Sequence, residues 1–249
     1  MEVVTLKRRD VPVALLVASA GMAVTIPKPA VAQSASVNGT LLGPPLVLTG
    51  TGTYTPSAGA AAIYVVLIGG GGGSGGAQFT SVGSASGGSA AGGMCMKYIT
   101  PLAASYAFSC GVGGGGGTAG PNDGSPGGVT SFSGTGIATL QAEGGGPSQG
   151  VGDGHPIGAS ASTGNGSSSN GDINLPQRPG TPGICINGYM LSGNGGSNPY
   201  AVGFAGVGYV TPGIPGTGFG AGASGALAGD TSVPGGEGSD GAILVWEYT

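Results

Sequence analysis

Charge is what this sequence has least of. Asp, Glu, Lys and Arg make up 6% of its 249 residues, where a soluble domain carries roughly 25%. Beyond Ala32 the only bases are Lys97 and Arg178, against eight acids, a net charge of −6. Nucleic-acid binding needs a basic stripe to neutralise phosphates, so the sequence excludes a nucleic-acid partner. Histidine is scarcer still: His155 stands alone. Asp153 lies two residues before it and serines abound, so a Ser-His-Asp triad can be written down. The loop around it is polar and rich in Gly and Pro, with nothing to fix a tautomer, and the chain reads as a non-enzyme. The three cysteines, Cys95, Cys110 and Cys185, show no CxxC pairing, which argues against zinc. GxGxxG matches arise by chance among so many glycines. None opens a helix, and no Walker lysine follows one. Asp230, Glu237 and Asp240 lack EF-hand spacing and read as a solvated loop. No cofactor and no metal site is expected.

Glycine fills the space that charge leaves: 60 residues, about a quarter of the chain, against roughly 7% in ordinary domains. Apolar residues reach 39%, so the low-hydrophobicity, high-charge composition of disorder does not fit. The glycines come in runs, at 69–73, 75–76, 87–88, 113–117, 127–128 and 144–146. They break the strict third-position period of collagen. The runs follow the ends of strand-like segments, as if each strand leads into a glycine-only layer. Three-fold polyglycine helices packed side by side would satisfy the backbone laterally, and only Gly allows that approach. Valine at Gly71 or Gly115 is expected to block it.

The strands read from β-branched and apolar runs. They are Leu46 to Thr49, Thr53 to Thr55, Ala62 to Ile68, Met94 to Thr100, Ser105 to Val112, Val129 to Ser133, Ile137 to Ala142 and Gly241 to Tyr248. Ala62 to Ile68 is apolar throughout and suits a strand buried on both faces. No helical periodicity appears after the N-terminal region. Residues 147–200, rich in Gly, Ser, Asn and Pro, read as a variable loop region.

The first 32 residues differ. Lys7-Arg8-Arg9 precedes an apolar run of 14 residues, Val11 to Val24, and Ala30-Val31-Ala32 follows. That is a secretory signal-peptide pattern with cleavage after Ala32; an uncleaved apolar anchor is the other reading. Residues 33–45 read as a linker and 46–249 as one glycine-rich β domain. Export would permit a disulfide. If Pro101 to Ala104 closes a hairpin, Cys95 faces Cys110 at bonding distance, with Cys185 left over. Two buried reduced thiols are the equal alternative.

These residues resemble a known family. Gly52-Thr53-Tyr54-Thr55-Pro56, the stretch Ile63 to Ala77, Gly127 to Phe132, Leu140 to Gly146 and the ending Gly241 to Tyr248 are similar, in order, to the glycine-rich domain of bacteriophage tail-fibre and adhesin proteins. A more distant similarity is to the glycine-rich extracellular module of anaplastic-lymphoma-type receptor kinases. The resemblance implies a jelly-roll-like (tumour-necrosis-factor-like) β-sandwich with packed polyglycine-helix inserts and long Gly/Ser-rich loops. It implies receptor binding at a fibre tip, to a bacterial glycan or outer-membrane protein, with homotrimeric assembly. The location would be the virion or the extracellular space. A secreted structural protein of an envelope or matrix, with its own assembly partner, is the competing expectation. The receptor-binding candidates are Tyr189, Tyr200, Phe204, Tyr209 and Phe219, rigid aromatics among small residues; packing onto the glycine layer is their alternative role.

Overall fold

The computed structural model describes residues 39–155, 157–158, 168–187 and 189–249. The signal peptide or anchor read over 1–32, and linker residues 33–38, lie outside these residues. Among the described residues there is no helix. Nine strands build an all-β sandwich: β1 (Leu46–Leu48), β2 (Thr51–Tyr54), β3 (Ala62–Ile68), β4 (Met94–Ile99), β5 (Tyr106–Ser109), β6 (Thr130–Gly134), β7 (Leu140–Ala142), β8 (Ile173–Leu175) and β9 (Ala242–Tyr248). One sheet runs β1-β9-β3-β4-β8 and the other β2-β5-β6-β7, every pair antiparallel.

Alternation sorts β3 as its apolar run requires. Ile63, Val65 and Leu67 join Tyr54, Tyr106, Phe132 and Leu140 in the core between the sheets. Val66 and Ile68 point the other way, onto Met94 and Leu244, beneath Tyr64, Trp246 and Phe219. Tyr106 and Phe132 stack at 4.8 Å.

Glycine segments leave the sandwich at one end. Residues 69–77 follow β3, 86–93 precede β4, 111–117 follow β5, 122–128 precede β6, 143–151 follow β7 and 233–241 precede β9. Segment 69–77 shows how they pack. The N–H groups of Gly69 and Gly72 donate to Gly93 and Ala90; those of Gly70, Gly73 and Gly76 to Gly128, Ser125 and Asn122; those of Gly71, Ser74 and Ala77 to Ser239, Gly236 and Val233. Its carbonyls accept from Gly145, Ser148 and Val151, from Gly114 and Gly117, and from Ala223. Every third residue thus serves the same neighbour, the repeat of a three-residue-per-turn helix. Six neighbours surround this one segment. The bundle is an ordered, backbone-bonded core, as the glycine runs suggested. Four buried serines (Ser74, Ser86, Ser89 and Ser148) repair the lattice: each hydroxyl accepts one segment's N–H and donates to another's carbonyl.

Three expectations need correction. The hairpin Met94–Val112 does not form: β4 and β5 lie in opposite sheets. The turn 100–105 crosses between sheets, because each strand finds better apolar partners elsewhere. Cys95 and Cys110 are therefore unbonded, and all three cysteines are free and buried. Their thiols donate to the carbonyls of Ser169, Leu48 and Gly83, and burial pushes each thiol pKa up. Second, the described part of the linker is not free. Leu42 N–H donates to Glu247 O, and Leu41 bridges Tyr248. Third, residues 147–200 are not simply loops. Residues 143–151, 177–181 and 192–196 join the bundle, and β8 extends the larger sheet. A three-fold helix needs no apolar periodicity, so Pro, Ser and Asn fit it.

Candidate functional site

The far end of the bundle carries the candidate surface. Eight residue steps separate Gly69 from Ala77, about 25 Å at the rise of such a helix. At that end, Ile157–Gly158, Gly183–Ile186 and Tyr189–Leu191 form a small antiparallel sheet. Its inner face is small because backbone lies against it: an added Cβ at Gly158 or Gly183 would meet Ala85 O at 2.1 and 2.4 Å. Its outer face is uniformly apolar. Ile157, Ile184 and Leu191 align across the three strands, and Ile186 opposes Tyr189. All five are exposed, Ile157 by 62% and Tyr189 by 83%.

From this sheet a three-fold hairpin runs back along the bundle. Ser192, Gly195 and Asn198 donate N–H groups to Val207, Phe204 and Ala201. Tyr209, 78% exposed, precedes Val210, which packs on Ala77 and Val233 and reaches Gly229 beside Met190. Tyr189 and Tyr209 therefore share the far end. Tyr200 sits at the hairpin tip beside the sandwich, where Phe219 N–H bonds its carbonyl. Phe219 packs half-buried on the outer face of the larger sheet. Phe204 lies between. The five aromatics do not form one patch. Ile157, Ile184, Ile186 and Leu191 were missed as surface residues. The signal was present: Asn187-Gly188, a strong hairpin dipeptide, sits between alternating apolar residues.

The polar residues here are occupied. The Asp153 carboxylate accepts from the backbone N–H groups of Thr80, Ser81, Val82 and Gly83 and from the Thr80 and Ser81 hydroxyls, at 2.7–3.3 Å. It pins the turn joining segments 69–77 and 86–93, and no bond ties it to His155. The Thr80 hydroxyl, with the backbone donors and Ser81, holds its pKa far below the usual carboxylate range. A lowered folded pKa stabilises fully above the unfolded value near ~4 and is lost as pH falls through the folded value. Asp153→Asn should therefore flatten the acid limb of the melting-temperature profile below pH ~4. An unchanged slope would show that the nest contributes nothing. At the C-terminal acids, Asp240 accepts the Gly113 N–H at 2.7 Å. Lys97 pairs with Asp172 at 3.1 Å, beside a cleft of about 740 Å³ formed by the turns 100–104 and 135–137.

No curated protein matches the chain. Residues 47–247 match the family model described as a glycine-rich domain. That span covers the sandwich strands and the packed glycine segments together, and so the chain belongs to the glycine-rich domain family.

Proposed function

We propose that the chain is a non-enzymatic recognition module that binds a bacterial surface receptor with the far end of its glycine bundle. The observation that carries this is the exposed apolar face of Ile157, Ile184, Ile186, Tyr189 and Leu191, with Tyr209 beside it. Exposed contiguous apolar surface marks interaction sites, and aromatic side chains dominate binding hot spots. The scaffold beneath is hydrogen-bonded backbone, so the surface is presented with little ordering cost. Thr40 and Thr249 bond each other at the opposite end of the sandwich. The engagement of Asp153 by the 80–83 turn supports a role without catalysis. The tail-fibre resemblance adds the setting, a homotrimeric fibre tip outside the cytoplasm.

The test is labelled protein incubated with a panel of intact bacterial strains. Ile184→Lys and Tyr189→Ala, each checked for an unchanged melt, should reduce binding to a positive strain at least roughly tenfold, as loss of a hot spot does. Equal binding by both variants would overturn the site. Binding to no strain, with incorporation into an envelope fraction instead, would favour the secreted structural protein.

A further inference from the structure

At the opposite end of the sandwich, one carboxylate has no cationic partner among the described residues. Glu247 is the inward-facing residue after Ile243 and Val245 on β9, and it is only 8% exposed. Its Oε1 accepts the Tyr54 hydroxyl at 2.6 Å and the Ser57 N–H at 2.8 Å. Every one of these donors is neutral. Burial works to raise the Glu247 pKa, but the bonds from Ser57 and Tyr54 outweigh it and hold the carboxyl below its usual value. The group is thus a buried anion. Among the described residues the ion pair is Lys97–Asp172, and no cation reaches Glu247. A buried charge is costly unless it is paired.

Beside the carboxylate lies a pocket of about 340 Å³, walled by Leu42, Gly43, Pro44, Leu46, Ser57 and Ala58 with Glu247 itself. Apolar walls with one convergent charged group are the make-up of a ligand site. We infer that this pocket binds a single organic cation, an alkylammonium or alkylguanidinium group, whose charge pairs with Glu247 and whose carbon stem lies against Leu42, Pro44 and Leu46. One carboxylate offers too few ligands for a metal ion, and no group of three His, Cys, Asp or Glu gathers among the described residues. The cation is either a free amine or guanidine or the end of a Lys or Arg side chain on a partner. The pocket is separate from the apolar far-end surface and does not depend on its role.

Isothermal titration calorimetry of the full-length protein reads binding directly. Titration with n-butylammonium and n-butylguanidinium should give saturable heats, while n-butanol gives none. Glu247→Gln keeps an acceptor for Tyr54 and Ser57 and removes the charge. It should weaken binding roughly ten- to hundredfold, the range for a hydrogen bond to a charged group. Ala58→Phe, on the exposed turn, should block the pocket with the carboxylate intact and serves if Glu247→Gln fails to fold. A peptide bearing one central lysine that binds at least tenfold tighter than n-butylammonium assigns the site to a partner's side chain; equal binding assigns it to a free amine. A linear response identical in wild type and both variants, or equal binding of n-butanol, overturns the inference.

Discussion

Alanine at Gly71 is expected to disrupt the glycine bundle, while alanine at Gly115 is expected to leave it intact. A Cβ on Gly71 would lie 1.8 Å from Ala221 O and 2.4 Å from Ala221 C. Those atoms are backbone, so no rotamer change relieves the clash. Segment 220–226 would have to move by more than an ångström. Its bonds would go with it, among them Ser239 N–H to Ala221 O and Gly222 N–H to Gly196 O. Overpacking an ordinary core costs about 1–3 kcal/mol; a rigid lattice of backbones should exceed that, at about 4 kcal/mol or more. For a domain of this size that lowers the melting temperature by about 8–16 °C. Gly71 is not in the left-handed region, so its glycine is required by proximity and not by φ. At Gly115 the added Cβ meets nothing within 4 Å. Alanine there should be neutral or stabilise by about 0.4–1 kcal/mol through the unfolded chain. Thermal melts of the two variants decide it. Equal melts would refute the packed lattice. Gly115 therefore departs from the expectation that either run would reject a side chain.

The reason for that departure shows what the sequence makes legible. Along 111–117 exposure repeats with period three: Gly111, Gly114 and Gly117 are buried, while Val112 and Gly115 face out. Val112, the non-glycine in the run, falls on the outward position. Segment 69–77 has no outward position, being enclosed on six sides, and only Ser74 and Ala77 interrupt its glycines. Run length alone cannot separate the two cases; the positions of the interruptions can. β3 and β9 were legible because a β-branched run suits only a strand, and the observed β3 is Ala62–Ile68, as read. The pairing of β6 with β7 was legible from a short glycine turn, where Gly136 has φ +86°. The crossover at 100–105 was not legible, since adjacency in sequence favours a hairpin and nothing local announces that two strands part into different sheets. Glu247 was hidden for a similar reason. It reads as one more acid until β9 turns it inward against Tyr54.

Removing one hydroxyl should cost nearly as much as adding the methyl at Gly71. Ser148 is 1% exposed and stands where three segments meet. Its Oγ accepts the Gly75 N–H at 2.9 Å and donates to Gly87 O at 2.6 Å. Direct contact between those two backbones would need closer approach than segment 143–151 permits. The hydroxyl acts as a spacer that completes the hydrogen bonding at that point. Gly75 N–H has no backbone acceptor, unlike its neighbours Ser74 and Gly76. Ser148→Ala therefore strands a buried donor and a buried acceptor together. Each unsatisfied group costs about 1–3 kcal/mol, so the pair should cost about 2–6 kcal/mol. The void left is the size of one oxygen atom, and a water needs more room and two or more polar partners, so solvent cannot restore the link. Ser105→Ala, on the exposed turn before β5, should stay within about 0.5 kcal/mol of wild type. Hydrogen exchange gives a second, local reading: the Gly75 amide should lose protection in Ser148→Ala while Gly72 and Gly73, with direct backbone acceptors, keep theirs. A Ser148→Ala protein that melts with the Ser105→Ala control, and protects Gly75 as wild type does, would show that the serine hydroxyls decorate the bundle and do not complete it.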